Sequence, residues 1–298
     1  MARYIFAADL HIRSNRPHLR KDDYFLTVIG KFRQILKHCR DKKAILIVAG
    51  DFFDSTKVGI KVVNAVMKLM RTAKVECRVV LGQHDMNFHT MDFSGSPVQT
   101  LVHAGLVKVL TKNLEGMCGC SFGEEPNDPE HHPDNILVIH KSITPGTPPF
   151  YLPDALSSED MIEKYMGYQI IVSGDYHQPF VAKKWNRVLI NCGPMMRENI
   201  DQVDQKPRVY FVDTEENTIL PLFLRIKPAS EVFSLDMAKK AEESRFSEEL
   251  GEFVTLLKSN KNKPNFFDTV KLVMKEIDYP KETLNKVNEI INGARHDG

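Results

Sequence analysis

The stretch YIFAADLHI, residues 4–12, decides the fold. It begins with a short apolar run, and two residues that commonly bind metals, Asp9 and His11, follow the run directly. A run of this kind predicts a buried β-strand. In open α/β sheets, ligands bind beyond the carboxyl ends of such strands. We therefore expect Asp9 and His11 to lie at a ligand-binding edge of a sheet.

Four further apolar runs along the chain end in the same way. They are ILIVAG before Asp51, RVVLG before Gln83 and His84, ILVI before His140, and IIVSG before Asp175 and His177. Carboxylate and imidazole groups that meet at several strand ends form a cation site. Two cations that share a carboxylate form a site for hydrolysing phosphate esters. Because the pattern recurs five times, we expect these side chains to meet in one crevice.

Apolar residues at helical spacing separate the first three runs. The first stripe is Phe25, Val28, Ile29, Phe32 and Leu36, and the second is Ile60, Val63, Met67 and Met70. Strands that alternate with helices predict an α/β fold with parallel strands. Residues 117–153 are rich in Gly, Pro and acidic side chains around ILVI, which indicates long active-site loops. Three more strands are predicted near the end of this region, at 188–191, 209–212 and 219–224.

The sequence changes character near Pro228, where we place a domain boundary between residues 1–228 and 229–298. Beyond it, Lys, Glu and Asn increase, and three apolar stripes at helical spacing predict a small helical module. These helices either bind a partner protein or pack back on the main domain. Only about 70 residues remain there, enough for these helices but hardly for a full additional domain, so either a cap over the ligand crevice is at most vestigial or a partner performs its task.

Composition restricts the class of protein. The 298 residues are 42% hydrophobic and carry a net charge of +1, so the chain is globular and has no general attraction to nucleic acid. Any polyanion site must be local. Five scattered cysteines do not resemble a disulfide framework, so we expect a reducing, cytoplasmic setting. No stretch approaches the roughly 18 apolar residues of a membrane span, and the first strand leaves no room for a signal peptide.

Each motif alone is weak. A D-x-H sequence can be a turn aspartate beside a surface histidine, and Gly-Asp is common in turns. Gly50 removes a Cβ where the chain must turn sharply after its strand, and the two oxygens of Asp51 can bridge two metals. The motifs become informative because they occur together and in this order.

In that order the motifs resemble the calcineurin-like metallophosphoesterases, whose pattern is D-x-H, G-D, G-N-H-D/E, a lone His and G-H-x-H. Within that superfamily, FAADLHI, IVAGDFFDS, VIHKSIT and INCGPMMREN look most like the SbcD-type nuclease subunits of double-strand-break repair complexes. The resemblance covers residues 1–228. It implies a four-layered α/β/β/α sandwich, two divalent metal ions, usually Mn²⁺, and cleavage of DNA phosphodiesters.

The resemblance also assigns the metal ligands. The first metal site is placed on Asp9, His11, Asp51 and His177, all of which match the family. The second is placed on the shared Asp51, on Gln83 where the family has Asn, on His140, and on Asp175 where the family has His. A carboxylate in place of a ring nitrogen favours Mn²⁺ or Mg²⁺ over Zn²⁺. The second site either works with these changes or is weakened.

The catalytic residues follow from the same comparison. His84 matches the family histidine that approaches the scissile phosphate, where it can protonate the leaving oxygen or stabilise the transition state. Asp85 is expected to orient His84, unless it only stabilises the turn. Asp54 occupies a position near the substrate in many relatives, but it can equally be a helix N-cap beside Ser55.

Substrate contacts are less specific. Four basic residues follow the D-x-H motif on an expected loop above the crevice, namely Arg13, Arg16, Arg20 and Lys21, and Lys141 directly follows His140. Any of them could hold a phosphate, although charged loop residues are often plain solvated surface. A second basic group, Lys183, Lys184 and Arg187 around Trp185, is open to the same two interpretations.

We therefore expect a Mn²⁺-dependent DNA exonuclease and endonuclease subunit that acts at DNA ends in break repair or recombination. Its partners would be DNA and an SbcC-like coiled-coil ATPase bound by the C-terminal helices. A homodimer is also expected, with an apolar face from Phe88, Met91, Phe93 and Leu101. Two alternatives remain: a phosphodiesterase for cyclic nucleotides or other small esters, and a catalytically weakened scaffold that binds DNA ends.

Overall fold

The computed structural model describes residues 3–112, 117–127, 136–149, 152 and 154–234. In chain order its strands and α-helices are β1 (Arg3–Ala7), α1 (Tyr24–Lys42), β2 (Ile45–Ala49), α2 (Ile60–Ala73), β3 (Cys77–Val80), α3 (Pro97–His103), β4 (Lys108–Val109), β5 (Met117–Cys120), β6 (Ile136–His140), β7 (Ile143–Thr144), β8 (Leu156–Ser157), α4 (Ser158–Lys164), β9 (Ile170–Gly174), β10 (Phe180–Lys184), β11 (Arg187–Asn191), β12 (Arg208–Asp213), β13 (Thr218–Phe223) and α5 (Ala229–Val232).

Two sheets form the centre of the domain. The first has the order β13-β12-β1-β2-β3-β4, and the second has the order β10-β11-β9-β6-β5. Strands β1 to β4 run parallel to one another, as do β5, β6, β9 and β11. Among the described residues, the antiparallel pairs within these sheets are β1 with β12, β12 with β13, and β10 with β11. The parallel strands therefore bring their carboxyl ends to a common edge in each sheet.

Successive side chains of the central strands point to opposite faces of their sheet and so pack in different layers. On β1, Tyr4 and Phe6 enter a cluster shared by both sheets, whereas Ile5 and Ala7 enter a cluster shared with α1 and α2. On β6, Val138 faces the shared cluster, and its neighbours face a third cluster that contains residues of α4. A two-residue period with both faces buried is typical of a central strand. The layers are helix, sheet, sheet and helix, which confirms the α/β/β/α sandwich predicted from the sequence.

Helix α1 illustrates how local sequence forms these elements. Asp23 caps its N-terminus by accepting the backbone N–H of Leu26, and Lys43 ends it in a left-handed conformation. The predicted apolar stripe is largely confirmed, because α1 buries Val28, Ile29, Phe32 and Leu36. In α2 the stripe begins later than predicted: Ile60 is 71% exposed, and Val62, Val63, Val66 and Met70 are buried instead.

Several short elements were not predicted from the sequence, among them β5, α3 and α4. Strand β5 has the sequence MCGC, which lacks the β-branched residues that identify strands, and the seven-residue helices α3 and α4 are too short for a clear helical period. The three late strands were anticipated and correspond to β11, β12 and β13. Long loops are confirmed only in part, because β5 to β8 divide the described portion of that region.

The predicted dimer face must be corrected. Phe88 and Met91 are exposed, but Leu101 is fully buried in the cluster beneath α1 and α2, and Phe93 packs against the same cluster. Leu101 lies on the inner side of α3, where its apolar side chain is removed from water within the chain itself. Only Phe88 and Met91 of the predicted face remain available for contact with another chain.

Contacts divide the chain between Ser234 and Leu235. The first unit, residues 1–234, contains α5 and the buried Phe233, whose backbone forms an isolated bridge with Arg20. The predicted helical module lies almost wholly beyond residue 234, outside the described residues. Within the described residues, no helix combines the length and apolar character needed to cross a lipid bilayer.

Helix α1 contains a testable weak point. Gly30 lies in its middle, and an added Cβ would meet no atom within 4 Å. We expect Gly30→Ala to raise the free energy of unfolding by about 0.5–1 kcal/mol, because alanine loses less backbone entropy in a helix. Equilibrium denaturation in urea measures the change. A midpoint equal to or below that of the unaltered protein would contradict the open environment of Gly30.

Candidate metal centre

The seven predicted metal ligands lie at or directly after the carboxyl ends of the parallel strands. Asp9 and His11 follow β1, Asp51 follows β2, Gln83 follows β3, His140 ends β6, and Asp175 and His177 follow β9. Four of them, Asp9, His11, Asp51 and Asp175, have positive φ angles of 48°, 41°, 50° and 86°. Non-glycine residues in this region are strained, and such strain concentrates at functional sites.

Glycines before the ligands allow the strand ends to approach one another. A Cβ on Gly82 would lie 2.0 Å from Oδ1 of Asp51, and one on Gly50 would lie 2.0 Å from Nδ1 of His140. Gly50 also has a φ of 90°, which only glycine adopts without strain. On Gly174, a Cβ would lie 2.1 Å from the carbonyl oxygen of Ala49. Side chains at these positions would push the ligands apart.

Asp51 lies at the centre of the cluster. Its Oδ1 accepts the backbone N–H of His84, while its Oδ2 lies 3.7 Å from Nε2 of His11, 3.4 Å from Nε2 of His140 and 4.0 Å from Nε2 of His84. This Oδ2 is buried and has no hydrogen-bond partner among the described residues. A buried carboxylate oxygen without a partner is costly, so the position suits a cation.

The first predicted ligand group converges beside Asp51. Nε2 of His11 lies 3.3 Å from Nε2 of His177, and Nε2 of His177 lies 4.0 Å from Oδ1 of Asp9. Asp9 is fully buried; its Oδ1 accepts the backbone N–H of Asp175, and its Oδ2 has no partner among the described residues. Two ring nitrogens that face each other need a shared proton or a common cation.

The second predicted ligand group is closed by hydrogen bonds among its own members. Nε2 of His140 and Oε1 of Gln83 are 2.7 Å apart, and the Gln83 amide donates to Oδ1 of Asp175 over 2.8 Å. Nδ1 of His140 donates to the carbonyl of Ala49, which turns Nε2 toward Asp51. Gln83 and Asp175 therefore lie where the sequence placed them, but a cation bound by both Nε2 of His140 and Oε1 of Gln83 would have to replace the hydrogen bond between these two atoms.

Asp54 supports the centre rather than facing substrate. Its Oδ1 lies 3.5 Å from Nδ1 of His11, and its Oδ2 accepts a 2.8 Å hydrogen bond from Arg13. Arg13 also donates to Glu198 over 2.9 Å, and Glu198 accepts the hydroxyl of Tyr24. The predicted substrate role of Arg13 is therefore corrected, because its guanidinium is already paired with two carboxylates. The sequence analysis missed Glu198, although it lies within the INCGPMMREN stretch.

The prediction that Asp85 orients His84 is wrong. The buried Asp85 carboxylate accepts the backbone N–H groups of Phe52, Phe53 and Gly82, and so ties the loop after β2 to the loop after β3. Nδ1 of His84 instead donates to the backbone carbonyl of Asp54 at 2.8 Å. This bond leaves Nε2 of His84, whose side chain is 41% exposed, free to face solvent and substrate.

A cavity of ≈ 490 Å³ adjoins the second ligand group and is lined in part by His140 and Asp175. Lys141 also lines it, but its ammonium is paired with Glu125 at 2.7 Å. The acidic side chains in the lining outnumber this single basic one; they are Glu124, Glu125, Asp154 and Asp175. Arg16 is exposed on the loop after β1. Its phosphate-binding role stays a prediction.

Protons can balance part of the negative charge in the centre. Burial lowers the pKa of His140, but the neighbouring carboxylates of Asp51 and Asp9 outweigh burial and raise the pKa to about 10. Burial also lowers the pKa of His11, but the hydrogen bond to Asp54 and the charge of Asp51 outweigh burial and raise this pKa to about 9. For Asp85, burial and the charge of Asp51 raise the pKa to about 6. Divalent ions would replace the imidazole protons as counter-charges.

The donor set fits divalent ions. Three groups of side chains have ligand atoms within 4.8 Å of one another: Asp9, His11 and His177; His11, Asp51 and His84; and Asp9, Asp51 and His140. Carboxylate and imidazole donors suit Mn²⁺, Zn²⁺ and Fe²⁺, and the orphaned Oδ2 atoms of Asp9 and Asp51 supply negative charge. His84, predicted as a non-ligand, is near enough to belong to one of these groups.

Comparison with protein families identifies a match to the calcineurin-like phosphoesterase model over residues 2–179. The matched span includes all seven predicted ligands and more than half of the chain. No curated protein matches the chain significantly.

Similar solved structures are distant in sequence. TT1561 of Thermus thermophilus is 10% identical with a TM-score of 0.45, and the match covers 75% of this chain and 99% of that one. An archaeal phosphodiesterase is 10% identical with a TM-score of 0.40, covering 74% and 99%. The protein PH1004 of Pyrococcus horikoshii is 15% identical with a TM-score of 0.43, covering 84% and 94%.

The different hydrogen bonding of the two groups predicts two unequal metal-binding steps. We expect calorimetric titration with Mn²⁺ to show one tight and one weaker binding step, because the second ion must replace the hydrogen bond between Nε2 of His140 and Oε1 of Gln83. His177→Ala should weaken the tight step and Asp175→Ala only the weaker one, each by about 10-fold or more. Equal affinities in the unaltered protein, or an effect of Asp175→Ala on the tight step alone, would overturn this assignment.

Proposed function

Because the chain belongs to the calcineurin-like phosphoesterase family, we propose that this phosphoester hydrolase is an SbcD-type nuclease subunit that cleaves DNA phosphodiester bonds at DNA ends. One observation carries the proposal: the partnerless Oδ2 of Asp51 faces imidazoles from both ligand groups, His11 on one side and His140 on the other. A carboxylate in this position can be shared by two cations, the arrangement used for hydrolysing phosphate esters.

The bound ions would supply a water of lowered pKa and neutralise charge on the phosphate. Asp9, His11, Asp51 and His177 would hold the first ion, and Asp51, Gln83, His140 and Asp175 the second. His84 is held by the Asp54 carbonyl with Nε2 turned toward solvent beside Asp51. From there it can donate a proton to the leaving oxygen or a hydrogen bond to the phosphate.

The sequence stretches that resemble SbcD-type subunits support the choice of DNA. Two of them form the surroundings of the first ligand group, since Asp54 of IVAGDFFDS and Glu198 of INCGPMMREN both pair with Arg13. Arg13 and Lys141 are already paired, and the adjoining cavity is acidic, so divalent ions must supply most of the attraction for phosphate. We infer a strict metal dependence, with Mn²⁺ as the most suitable ion and Mg²⁺ as the second.

A small phosphodiester is a second candidate substrate. The cavity of ≈ 490 Å³ beside His140 is within the range of pockets that bind small molecules, and a cyclic nucleotide would place its ester near the ligand groups. The third candidate is a weakened scaffold. It is supported by the Gln83 amide, which is already hydrogen-bonded to both His140 and Asp175 and is therefore less available to a second metal ion.

We also propose the assembly. The residues beyond 234 would bind an SbcC-like coiled-coil ATPase, and the exposed Phe88 and Met91 would contribute to a homodimer. A cytoplasmic setting agrees with the five cysteines, all of which are buried and none of which forms a disulfide within the described residues.

DNA cleavage by the protein can be tested directly. In the presence of Mn²⁺ we expect the protein to shorten an end-labelled DNA duplex, and His84→Ala to reduce the rate by about 10²–10⁴-fold through loss of proton transfer or phosphate contact. His103→Ala, which removes an exposed histidine on α3, is the matched control and should leave the rate unchanged. Metal affinity should be measured alongside for both variants.

Parallel assays on cyclic nucleotides separate the candidates. Fast, His84-dependent turnover of a cyclic nucleotide without cleavage of the duplex would show that the substrate is a small ester and not DNA. If neither substrate is cleaved and only one Mn²⁺ binds per chain, the scaffold is favoured and the nuclease proposal fails.

Binding of the ATPase partner can be tested with a truncated chain. A chain that ends at Ser234 keeps Val232 and Phe233, which are 2% and 1% exposed, in the core of the first unit. We expect this truncated protein to retain Mn²⁺-dependent cleavage of short DNA but to lose co-purification with an SbcC-like ATPase. Undiminished ATPase binding by the truncated chain would place the partner surface within the first unit instead.

A further inference from the structure

A second cavity, of ≈ 270 Å³, lies between α1 and the segment that follows β13. It shares no lining residue with the cavity beside His140. At about 30 Å³ per water, it has room for roughly nine waters, or for a small ion with part of its hydration shell. No predicted metal ligand or catalytic residue contributes to it.

The lining of this cavity is strongly basic. Five basic residues contribute to it, and they are Arg20, Lys31, Arg197, Arg225 and Lys227. Among the described residues, the only acidic side chain in the lining is Asp22. Its carboxylate is already occupied by two hydrogen bonds from Arg20, at 2.9 and 2.7 Å, and by one from the hydroxyl of Thr27, at 2.7 Å. Positive charge therefore exceeds negative charge around the cavity.

Lys31 is the least compensated of these groups. Its side chain projects from α1, the residue is 4% exposed, and its ammonium donates one hydrogen bond, to the carbonyl of Met195 at 3.1 Å. An ammonium has three N–H donors, and the described residues offer no other acceptor. Burial, together with the charges of Arg197 and Arg20, lowers the Lys31 pKa to about 7. A buried amine of this kind either stays neutral or keeps its charge beside an anion, and Asp22 supplies only part of that negative charge.

The two arginines are fixed in place around Lys31. Arg197 donates to the carbonyls of Val203 and Lys227, and Arg20 donates to the carbonyl of Arg197. Both guanidinium groups lie over the ring of Phe233, at 5.6 Å for Arg20 and 5.8 Å for Arg197. Preorganised cations lose little freedom when an anion binds, which favours recognition by geometry as well as by charge.

We propose that this cavity binds an oxyanion of the phosphate class. The exposed Arg225 and Lys227 would form its mouth and Lys31 its buried base. Arg20 and Arg197, whose guanidinium groups are already hydrogen-bonded, would contribute mainly positive charge. Charge-assisted hydrogen bonds from Arg and Lys are the usual means of holding a phosphate group. The same chemistry serves a free phosphate ion and the phosphate of a nucleotide. The proposal is independent of the nuclease function, since no predicted metal ligand or catalytic residue lines the cavity. Arg20, which the sequence placed on the loop above the crevice, is buried beside this cavity instead.

Such binding would join two parts of the first unit. Lys31 belongs to α1, whereas Arg225 and Lys227 belong to the segment between β13 and α5. An anion held by both would stabilise the folded chain by RT ln(1 + c/Kd), where c is the free anion concentration, so the gain rises with the logarithm of that concentration above the Kd. It would also fix the segment that leads toward the residues beyond 234.

The experiment titrates the full chain with sodium phosphate in the presence of a chelator, so that no metal can hold phosphate at the candidate metal centre. Calorimetry should show one phosphate per chain, and thermal unfolding should shift upward with phosphate concentration. Sulfate should act similarly. Comparison of AMP with adenosine distinguishes the sources: binding of AMP but not adenosine indicates that a nucleotide phosphate fits, and binding of orthophosphate alone indicates the free ion.

Two variants and a control assign the site. Lys31→Met keeps the length and apolar stem of the side chain, and Arg225→Ala changes only the exposed mouth; each should weaken phosphate binding about 10-fold or more. Lys68→Met removes the same charge from the exposed side of α2 and should bind as the unaltered protein does. Absence of phosphate binding to the chelated protein, or equal binding by the control and both variants, rejects the site. If Lys31→Met fails to fold, the phosphate affinity of Arg225→Ala, compared with that of Lys68→Met, tests the site.

Discussion

The candidate centre depends on one buried carboxylate oxygen, Oδ2 of Asp51, which has no hydrogen-bond partner among the described residues and is surrounded by imidazole nitrogens. Removing such an oxygen from water is unfavourable unless positive charge compensates it. Protonated imidazoles can do so, as can divalent ions. Much of the local backbone serves this arrangement: Gly50 and Gly82 lack the Cβ atoms that would displace His140 and the Asp51 carboxylate, and Asp51 itself has a left-handed conformation.

The loops that carry the ligands are held by groups that do not themselves act on substrate. Asp85 accepts three backbone N–H groups and so fixes the loops after β2 and β3 relative to each other. Asp54 lies against His11 with its carboxylate and against His84 with its carbonyl, and Arg13 links it to Glu198. Strained left-handed residues persist only where surrounding contacts over-determine them, and these hydrogen bonds provide such contacts.

The first unit contains two sites of opposite charge. At the carboxyl ends of the strands, carboxylates and an acidic cavity attract cations, and only bound cations make that edge suitable for a phosphate ester. Beside α1, the basic cavity with the buried Lys31 suits a phosphate-class anion without any metal. The near-zero net charge of +1 conceals this separation, because opposite local charges cancel in the sum.

The sequence by itself determined an α/β fold with parallel strands and the meeting of the seven predicted ligands, because apolar runs that end in Asp, His or Gln identify parallel strands and their carboxyl edge. The four-layered α/β/β/α arrangement was predicted from the family resemblance of the motifs. Four-residue MCGC and short α3 lacked enough period to be recognised. Only the tertiary structure decided the partners of individual polar groups. Asp85 contacts backbone instead of His84, Arg13 is neutralised by Asp54 and Glu198, and Leu101 faces the core. Spacing along the chain restricts which strand end a side chain occupies, whereas its hydrogen-bond partner depends on residues brought close from distant positions by folding.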